Sequence, residues 1–220
     1  MSVCKLTNET DFVIHVVVME NALKPGPDPR HKMILTAAFD VFRQYGFRRT
    51  SMEDIAQAAG MSRAALYLHF SSKEDIFRSL GLHYYDTTAK AVSAVLAAGH
   101  PPVQALAAAF EAQGGEIAQA LLSSPHGAEF MDVKTANSAD ITVAGEARLV
   151  AIYADWLTAE AAAGRVSLQD FGGDTGAVAA TILAALHGMK AGAADYPTYA
   201  ASVSRLAAMF GRALVGSIHY

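Results

Sequence analysis

The chain has 220 residues, enough for one or two domains, and with 52% hydrophobic and 17% charged residues it is too apolar to be a disordered polymer. Its single cysteine, Cys4, excludes an intrachain disulfide and any zinc site built from several thiolates. The net charge of −4 is uneven, because residues 25–80 carry eight basic and six acidic groups, whereas residues 81–220 carry seven and twelve. Positive charge is therefore concentrated in one segment, which favours contact with a polyanion there.

Residues 1–27 are predicted to be an N-terminal extension that ends in a linker rich in proline and glycine. Its apolar stretch, Phe12–Met19, is short and follows a single basic residue, so a signal peptide is not expected. A flexible arm, a short strand and an extension before a true start at Met19 all fit this stretch. No run of eighteen apolar residues occurs in the chain, so no membrane-spanning helix is expected.

The first helix after the linker is predicted over about residues 30–45, because its apolar residues recur at helical spacing. Gly46 follows it as a left-handed cap. A second helix begins at Ser51, which has capping-box spacing with Asp54, and it stops at Gly60 after roughly two and a half turns.

A third helix begins at Ser62, whose hydroxyl can cap it, and it places Leu66 and Phe70 on one face. Only Gly60-Met61 separates it from the second helix, and a turn this short with a glycine is typical of a helix-turn-helix. A longer fourth helix then extends toward residue 97.

The remainder of the chain is rich in alanine and shows helical spacing throughout. We predict further helices at about residues 102–122, 126–136, 140–163, 174–192 and 196–216. No convincing alternating strand occurs after residue 20. The predicted fold class is all-α, with an N-terminal three-helix helix-turn-helix domain and a C-terminal helical domain.

Three groups of residues within this first domain occur together at fixed spacing. They are Ile34-Leu35-x-Ala37-Ala38-x-x-Val41-Phe42-x-x-x-Gly46-Phe47, then Thr50-Ser51-Met52-x-x-Ile55-Ala56-x-x-Ala59-Gly60-Met61-Ser62, then Leu66-Tyr67-x-His69-Phe70-x-Ser72-Lys73-Glu74. With them, the segment from Arg30 to Phe77 resembles the DNA-binding part of the tetracycline-repressor (TetR/AcrR-type) family of transcriptional regulators. The resemblance covers about a quarter of the chain.

The resemblance implies a sequence-specific DNA-binding regulator, by the family's habit a repressor that a small effector releases from its operator. It implies a helix-turn-helix head over residues 28–88 and an effector-binding and dimerisation body over residues 89–220. The implied partners are a pseudo-palindromic double-stranded DNA operator, an unknown small molecule and a second copy of the chain, in the cytoplasm and without a membrane.

The alternative functions are a helical protein-binding adaptor and an enzyme with a degenerate head. The sequence contains no nucleophile elbow, P-loop, zinc-protease helix or dinucleotide-binding loop after a strand. An enzyme is therefore not expected, and neither are a cofactor and a metal.

By resemblance, the third helix reads the major groove. Arg63 can bond guanine through two hydrogen bonds, although an exposed, solubilising arginine is the alternative. Ala64 and Ala65 depart from the family's commoner glycine and hydroxyl residues, which leaves the target sequence open. The residues expected at DNA are Arg49, Thr50, Ser51, Ser62, Arg63, Ala64, Tyr67, His69 and Lys73.

Three of these residues, Tyr67, His69 and Lys73, match the family's contacts to phosphate. Tyr67 also suits packing against the first helix, so both roles stay open. Ser51 is needed as a helix cap, and a hydroxyl at a helix N-terminus also suits a phosphate. Arg49 beside it adds positive potential.

The last two predicted helices, residues 174–192 and 196–216, are expected to pair two copies of the chain. Small residues recur along the first of them and large apolar residues along the second, as close helix packing requires. An intrachain core is the alternative. The effector is expected to be largely apolar, because charge is scarce in the body. Candidate pocket residues, each also suited to a plain core, are Tyr84, Phe110, Leu121, Phe130, Tyr153, Trp156 and His187.

Overall fold

The computed structural model describes residues 29–130 and 138–216, and within these ranges the chain is all-α, with no strand. The helices are α1 (Pro29–Tyr45), α2 (Met52–Ala58), α3 (Arg63–Tyr67), α4 (Lys73–Leu96), α5 (Pro102–Leu122), α6 (Ala139–Ala162), α7 (Thr175–Ala191) and α8 (Tyr196–Val215). A short 3-10 turn, Gln169–Phe171, lies between α6 and α7, and residues 127–130 are also helical.

The predicted all-α fold is confirmed, and the helix bounds agree with the predicted ones to within about two residues. Of the predicted helix at 126–136, only residues 127–130 can be compared, because residues 131–137 lie outside the described ranges. The predicted extension over residues 1–27 lies outside them as well. No helix within the described ranges is both long and apolar enough to cross a membrane.

A first hydrophobic cluster, which we call the head core, joins α1, α2 and α3 to the start of α4. Its fully buried side chains include Ile34 and Phe42 of α1, Ile55 of α2 and Leu66 of α3. The rings of Phe42, Phe47 and Phe77 lie 5.1–5.8 Å apart, in the tilted and edge-on arrangements that aromatic pairs favour.

A second cluster, the body core, is formed by the second half of α4 and by α5, α6, α7 and α8. The two cores meet on α4, where Leu80 belongs to the head core and Tyr85 to the body core. Because α4 is one uninterrupted helix, it is shared by the head and the body. The end of α5 crosses the same boundary, since Ala120 and Leu121 are buried in the head core.

Two glycines allow the body helices to approach closely. A Cβ atom at Gly145 of α6 would lie 2.1 Å from the Tyr85 ring of α4. One at Gly211 of α8 would lie 2.5 Å from the backbone of Val103 in α5. Either contact is far inside van der Waals distance, so the packing of α6 on α4 and of α8 on α5 depends on the missing side chains.

Candidate nucleic-acid interface

A tight turn joins α2 to α3, and a serine side chain caps the N-terminus of each of these helices. Ser51 and Asp54 form the predicted capping box at the start of α2, with the Ser51 N–H donating to the Asp54 carboxylate at 2.8 Å. Gly60 adopts a φ of +65°, a conformation that favours glycine, and Ser62 accepts the Ala65 N–H at 3.1 Å to cap α3. The predicted helix-turn-helix geometry is therefore present.

The turn gives α3 one buried face and one exposed face. Leu66 and Phe70 both lie in the head core, but α3 ends at Tyr67, so Phe70 reaches the core from the turn after the helix and not from its predicted helical face. On the other side, Arg63 and Tyr67 are exposed, and the Arg63 guanidinium lies 5.5 Å from the centre of the Tyr67 ring. Its Nη2 donates to the Tyr67 hydroxyl at 3.4 Å, which raises the pKa of Arg63. The two side chains thus form one exposed, positively charged surface.

Further predicted contact residues lie around this surface. Ser62 and Ala64 are exposed at the start of α3, and Arg49 and Ser51 are exposed at the start of α2. His69 is half-buried, with its ring edge-on to that of His31 at 5.6 Å.

Thr50 is placed differently from its neighbours. It is only 3% exposed, and its hydroxyl donates to the Gly46 carbonyl at 2.7 Å. Its side chain therefore closes the α1–α2 connection, residues 46–51, and does not face outward.

Lys73 also serves the α1–α2 connection. Its ammonium lies 2.9 Å from the Phe47 carbonyl, 2.9 Å from the Thr50 carbonyl and 3.3 Å from the Arg48 carbonyl. It also lies 4.7 Å from the centre of the Phe47 ring, within cation–π distance. An ammonium has three donors, so these carbonyls occupy all of them. Lys73 thereby holds α2 in place from the start of α4.

A segment of the body, residues 124–130, holds the same connection from the other side. The Arg48 N–H donates to Oε1 of Glu129 at 3.2 Å. This hydrogen bond lowers the pKa of Glu129 below its usual range, and His126 Nδ1, 3.1 Å from Oε2, adds to the effect. The orientation of α2 is therefore fixed from within the head by Lys73 and from the body by Glu129.

The seven candidate pocket residues fall into three places. Tyr84, Phe110, Tyr153 and Trp156 contribute to the body core, as expected. Leu121 and Phe130 do not line the interior of the body. Leu121 is buried in the head core, and Phe130 packs its ring against Phe39 and Phe77 there, so the pair lies apart from the other four and its place in a pocket stays a prediction. His187 lies on the surface with its side chain 53% exposed, 3.4 Å from Glu146.

Gln113 forms a polar centre inside the body core. Its backbone carbonyl accepts the Tyr84 hydroxyl at 3.0 Å, and its side-chain oxygen accepts the Tyr153 hydroxyl at 3.0 Å. Burial raises the pKa of Tyr84 to about 12 and also raises that of Tyr153. Both hydroxyls therefore stay neutral. Gln113 was not among the predicted site residues, because α5 contains several glutamines and glutamates and nothing in the local pattern distinguishes this one.

The likeness to a protein family lies in the head. Residues 34–80 match the family model described as bacterial regulatory proteins, tetR family. This segment belongs to the tetR family. The match includes α2, α3 and the start of α4, so the tetR-family segment contains the capped turn and the Arg63–Tyr67 surface.

Two curated relatives extend this likeness only within the N-terminal part. The chain is 44% identical over 57 residues to the HTH-type transcriptional regulator YfiR of Bacillus subtilis, covering 26% of this chain and 28% of YfiR. It is 35% identical over 85 residues to the HTH-type transcriptional activator FasR of Mycolicibacterium smegmatis, covering 39% of each. The chain thus spans between about a quarter and two fifths of the length of these relatives.

Solved structures match the fold over most of the chain. The fatty acid degradation regulator FadR from Bacillus halodurans matches with a TM-score of 0.62 and 16% identity, covering 89% of this chain and 100% of FadR. A transcriptional regulator from Rhodococcus sp. Rha1 matches with a TM-score of 0.64 and 19% identity, covering 84% of this chain and 97% of that one. At these identities the likeness concerns the fold alone.

Proposed function

We propose that the protein is a sequence-specific DNA-binding transcriptional regulator that inserts α3 into the major groove. The observation that carries this proposal is the exposed Arg63–Tyr67 surface, held outward by a capped turn within a tetR-family segment. A guanidinium presented on a short helix has the geometry to bond guanine or a phosphate. The regulator would act on DNA in the bacterial cytoplasm.

The contacts to the DNA backbone are assigned to exposed or half-buried groups at the ends of α2 and α3. Arg49 supplies charge, Ser51 and Ser62 supply hydroxyls at helix N-termini, and Tyr67 and His69 supply further donors. We assign Thr50 and Lys73 a positioning role, because their polar atoms already bond backbone carbonyls of the α1–α2 connection. The proposed domains remain a head over residues 28–88 and a body over residues 89–220.

A homodimer through α7 and α8 would set the spacing of two heads. Small residues form an exposed stripe along α7, at Ala177, Ala180, Ala184 and Gly188. On α8, Met209 is 69% exposed within a single chain. Small residues allow close helix approach, and an exposed methionine gains by burial, so these outer faces suit a four-helix interface.

The inner face of α8 belongs to the body core instead of the proposed interface. Val203, Ala207 and Leu214 are buried within the chain, and Leu206 and Phe210 are half-buried against the same core. The intrachain alternative therefore fits this face, and the dimer is proposed only for the exposed ones.

We propose a repressor that a small, largely apolar effector releases from DNA. The body core offers mainly apolar groups, with the Gln113 centre as a hydrogen-bonding exception. An effector that binds best when the two heads stand at the wrong spacing must lower the affinity for DNA, because coupling between two ligands is reciprocal. Two half-sites read by a dimer lie about 34–36 Å apart, so a small change in head spacing is sufficient.

The test is selection of duplexes from a random pool by the full chain, followed by titration at several salt concentrations. We expect an inverted repeat to be enriched and its affinity to fall steeply with salt, since phosphate contacts release counterions. Arg63→Ala should lower affinity for the selected site roughly five- to 160-fold, the range that corresponds to loss of one bidentate contact of about 1–3 kcal/mol. Lys90→Ala removes an exposed charge at the far end of α4 and is the matched control.

An enriched sequence bound equally well by Arg63→Ala would contradict the assignment of α3 as the reading helix. Absence of any enriched sequence would contradict the proposed function itself.

A further inference from the structure

Leu68 is the most exposed large apolar side chain of the head among the described residues. It is 85% exposed and follows directly on α3, where it continues the helical backbone with φ −73° and ψ −19°. Burying a leucine side chain contributes about 1.5–3 kcal/mol, so a partner that covers Leu68 would gain affinity from it. The head core already contains Leu66 and Phe70 from the same segment, so Leu68 contributes nothing to it.

Leu68 lies on the same side of α3 as another apolar residue. Ala64 is four residues earlier and is exposed, and residues four apart on a helix are neighbours on its surface. Arg63 and Tyr67 form the adjacent row, with the same spacing. The exposed side of α3 therefore has two rows, one cationic and one apolar.

The DNA major groove offers one apolar feature that matches such a row. Each base pair presents hydrogen-bond donors and acceptors there, and only thymine adds a methyl group. Building on the proposed function, we propose that Leu68, with Ala64 beside it, determines specificity by contacting a thymine methyl group in each half-site.

The length of α3 limits where that thymine can lie. Leu68 follows Arg63 by five positions, which corresponds to roughly 7.5 Å along the helix axis at the helical rise per residue. Base pairs follow one another at about 3.4 Å along the duplex. The thymine is therefore within about three base pairs of the group that Arg63 contacts.

The experiment replaces each thymine of the selected operator, one at a time, by deoxyuridine. This removes the methyl group and leaves every hydrogen-bonding atom of the base in place. At one thymine per half-site we expect the dissociation constant to rise about four-fold, the ratio that corresponds to ~0.8 kcal/mol for one buried methyl-sized group. Replacing the equivalent thymines of both half-sites should raise it about sixteen-fold by the same arithmetic.

The matching protein variant is Leu68→Ser, with Leu68→Met as the conservative control. Leu68→Ser should bind the thymine and uracil operators equally, so that the double-mutant cycle shows coupling, whereas Leu68→Met should keep the preference for thymine. Because Leu68 is solvated, both variants should keep the melting temperature of the parent protein.

Two outcomes would overturn the inference while leaving the proposed function standing. One is an operator that is insensitive to uracil at every thymine. The other is a Leu68→Ser variant whose affinity falls by the same factor for the thymine and the uracil operator, so that the preference for thymine is kept. That result would indicate that Leu68 contacts a sugar, a second protein or another head. Failure to enrich any operator would instead remove the proposed function, so the two results are distinguishable.

Discussion

Lys73 shows how one charged side chain can stabilise the proposed DNA-binding surface without facing it. Its ammonium bonds the backbone carbonyls of Phe47, Arg48 and Thr50. These carbonyls belong to the α1–α2 connection and not to the exposed face of α3. Removing the ammonium would leave partly buried carbonyls without a donor, which is more costly than losing an exposed ion pair.

We therefore expect Lys73→Ala to lower the free energy of unfolding by about 1–3 kcal/mol, the usual range for unsatisfied buried polar groups. DNA affinity should fall because α2 and α3 lose their fixed orientation. Urea unfolding followed by circular dichroism measures the first effect. His69→Ala removes a half-buried ring of the same surface and is the comparison variant in the unfolding measurement. Full stability of Lys73→Ala together with lost DNA affinity would instead indicate a direct contact to phosphate.

At the scale of elements, much of the fold could be predicted because it depends on local signals. The apolar spacing of α1 and the serine caps of α2 and α3 all act within a few residues of themselves. The structure confirms each of them.

What could not be predicted depends on which element meets which. Leu121 lies on a helix of the body, and nothing in its local pattern reveals that the end of α5 reaches the head core. Likewise, the acceptors of Thr50 and Lys73 are backbone carbonyls, which no residue type in the sequence marks. Tertiary contacts of this kind become visible only when the helices are placed in space.

An ion pair links α4 to the start of α6. The Arg78 guanidinium bonds both oxygens of Asp140, at 2.8 and 2.7 Å, and these hydrogen bonds lower the pKa of Asp140 from 3.8 to about 2. A carboxyl group with a depressed pKa in the folded state stabilises that state above its unfolded pKa and loses the contribution as the pH falls.

We therefore expect the difference in unfolding free energy between the parent protein and Asp140→Asn to be constant above about pH 5. It should shrink as the pH falls from 3.8 toward about 2. Denaturant titrations at several pH values measure it. Because both side chains are well exposed, the difference should also diminish with added salt. A difference independent of pH would contradict the assignment of the low pKa to this pair.

At the scale of the whole molecule, the proposed dimer requires small, uncharged residues along the exposed stripe of α7. We expect Ala180→Glu to produce a monomer, because a carboxylate in a close helix interface would be buried without a partner. Sedimentation velocity measures the mass. Ala151→Glu, at an exposed position of α6, is the control and should keep the mass of the parent.

A parent chain that sediments as a monomer, or an Ala180→Glu variant that still sediments as a dimer, would contradict this interface. If the parent chain is a monomer, selected duplexes should carry a single half-site. The two measurements are independent, since one reads protein mass and the other reads DNA sequence.

The head is attached to the body by several contacts besides the continuous α4 helix. Hydrogen bonds join Arg48 to Glu129, Arg43 to Ser124 and Arg78 to Asp140, and the end of α5 packs Leu121 into the head core. Because these contacts involve the end of α5, residues 124–130 and the start of α6, the head is packed onto more than one part of the body. A shift of α5 or α6 by the proposed effector should therefore carry the head with it and change the distance between the two copies of α3 in a dimer.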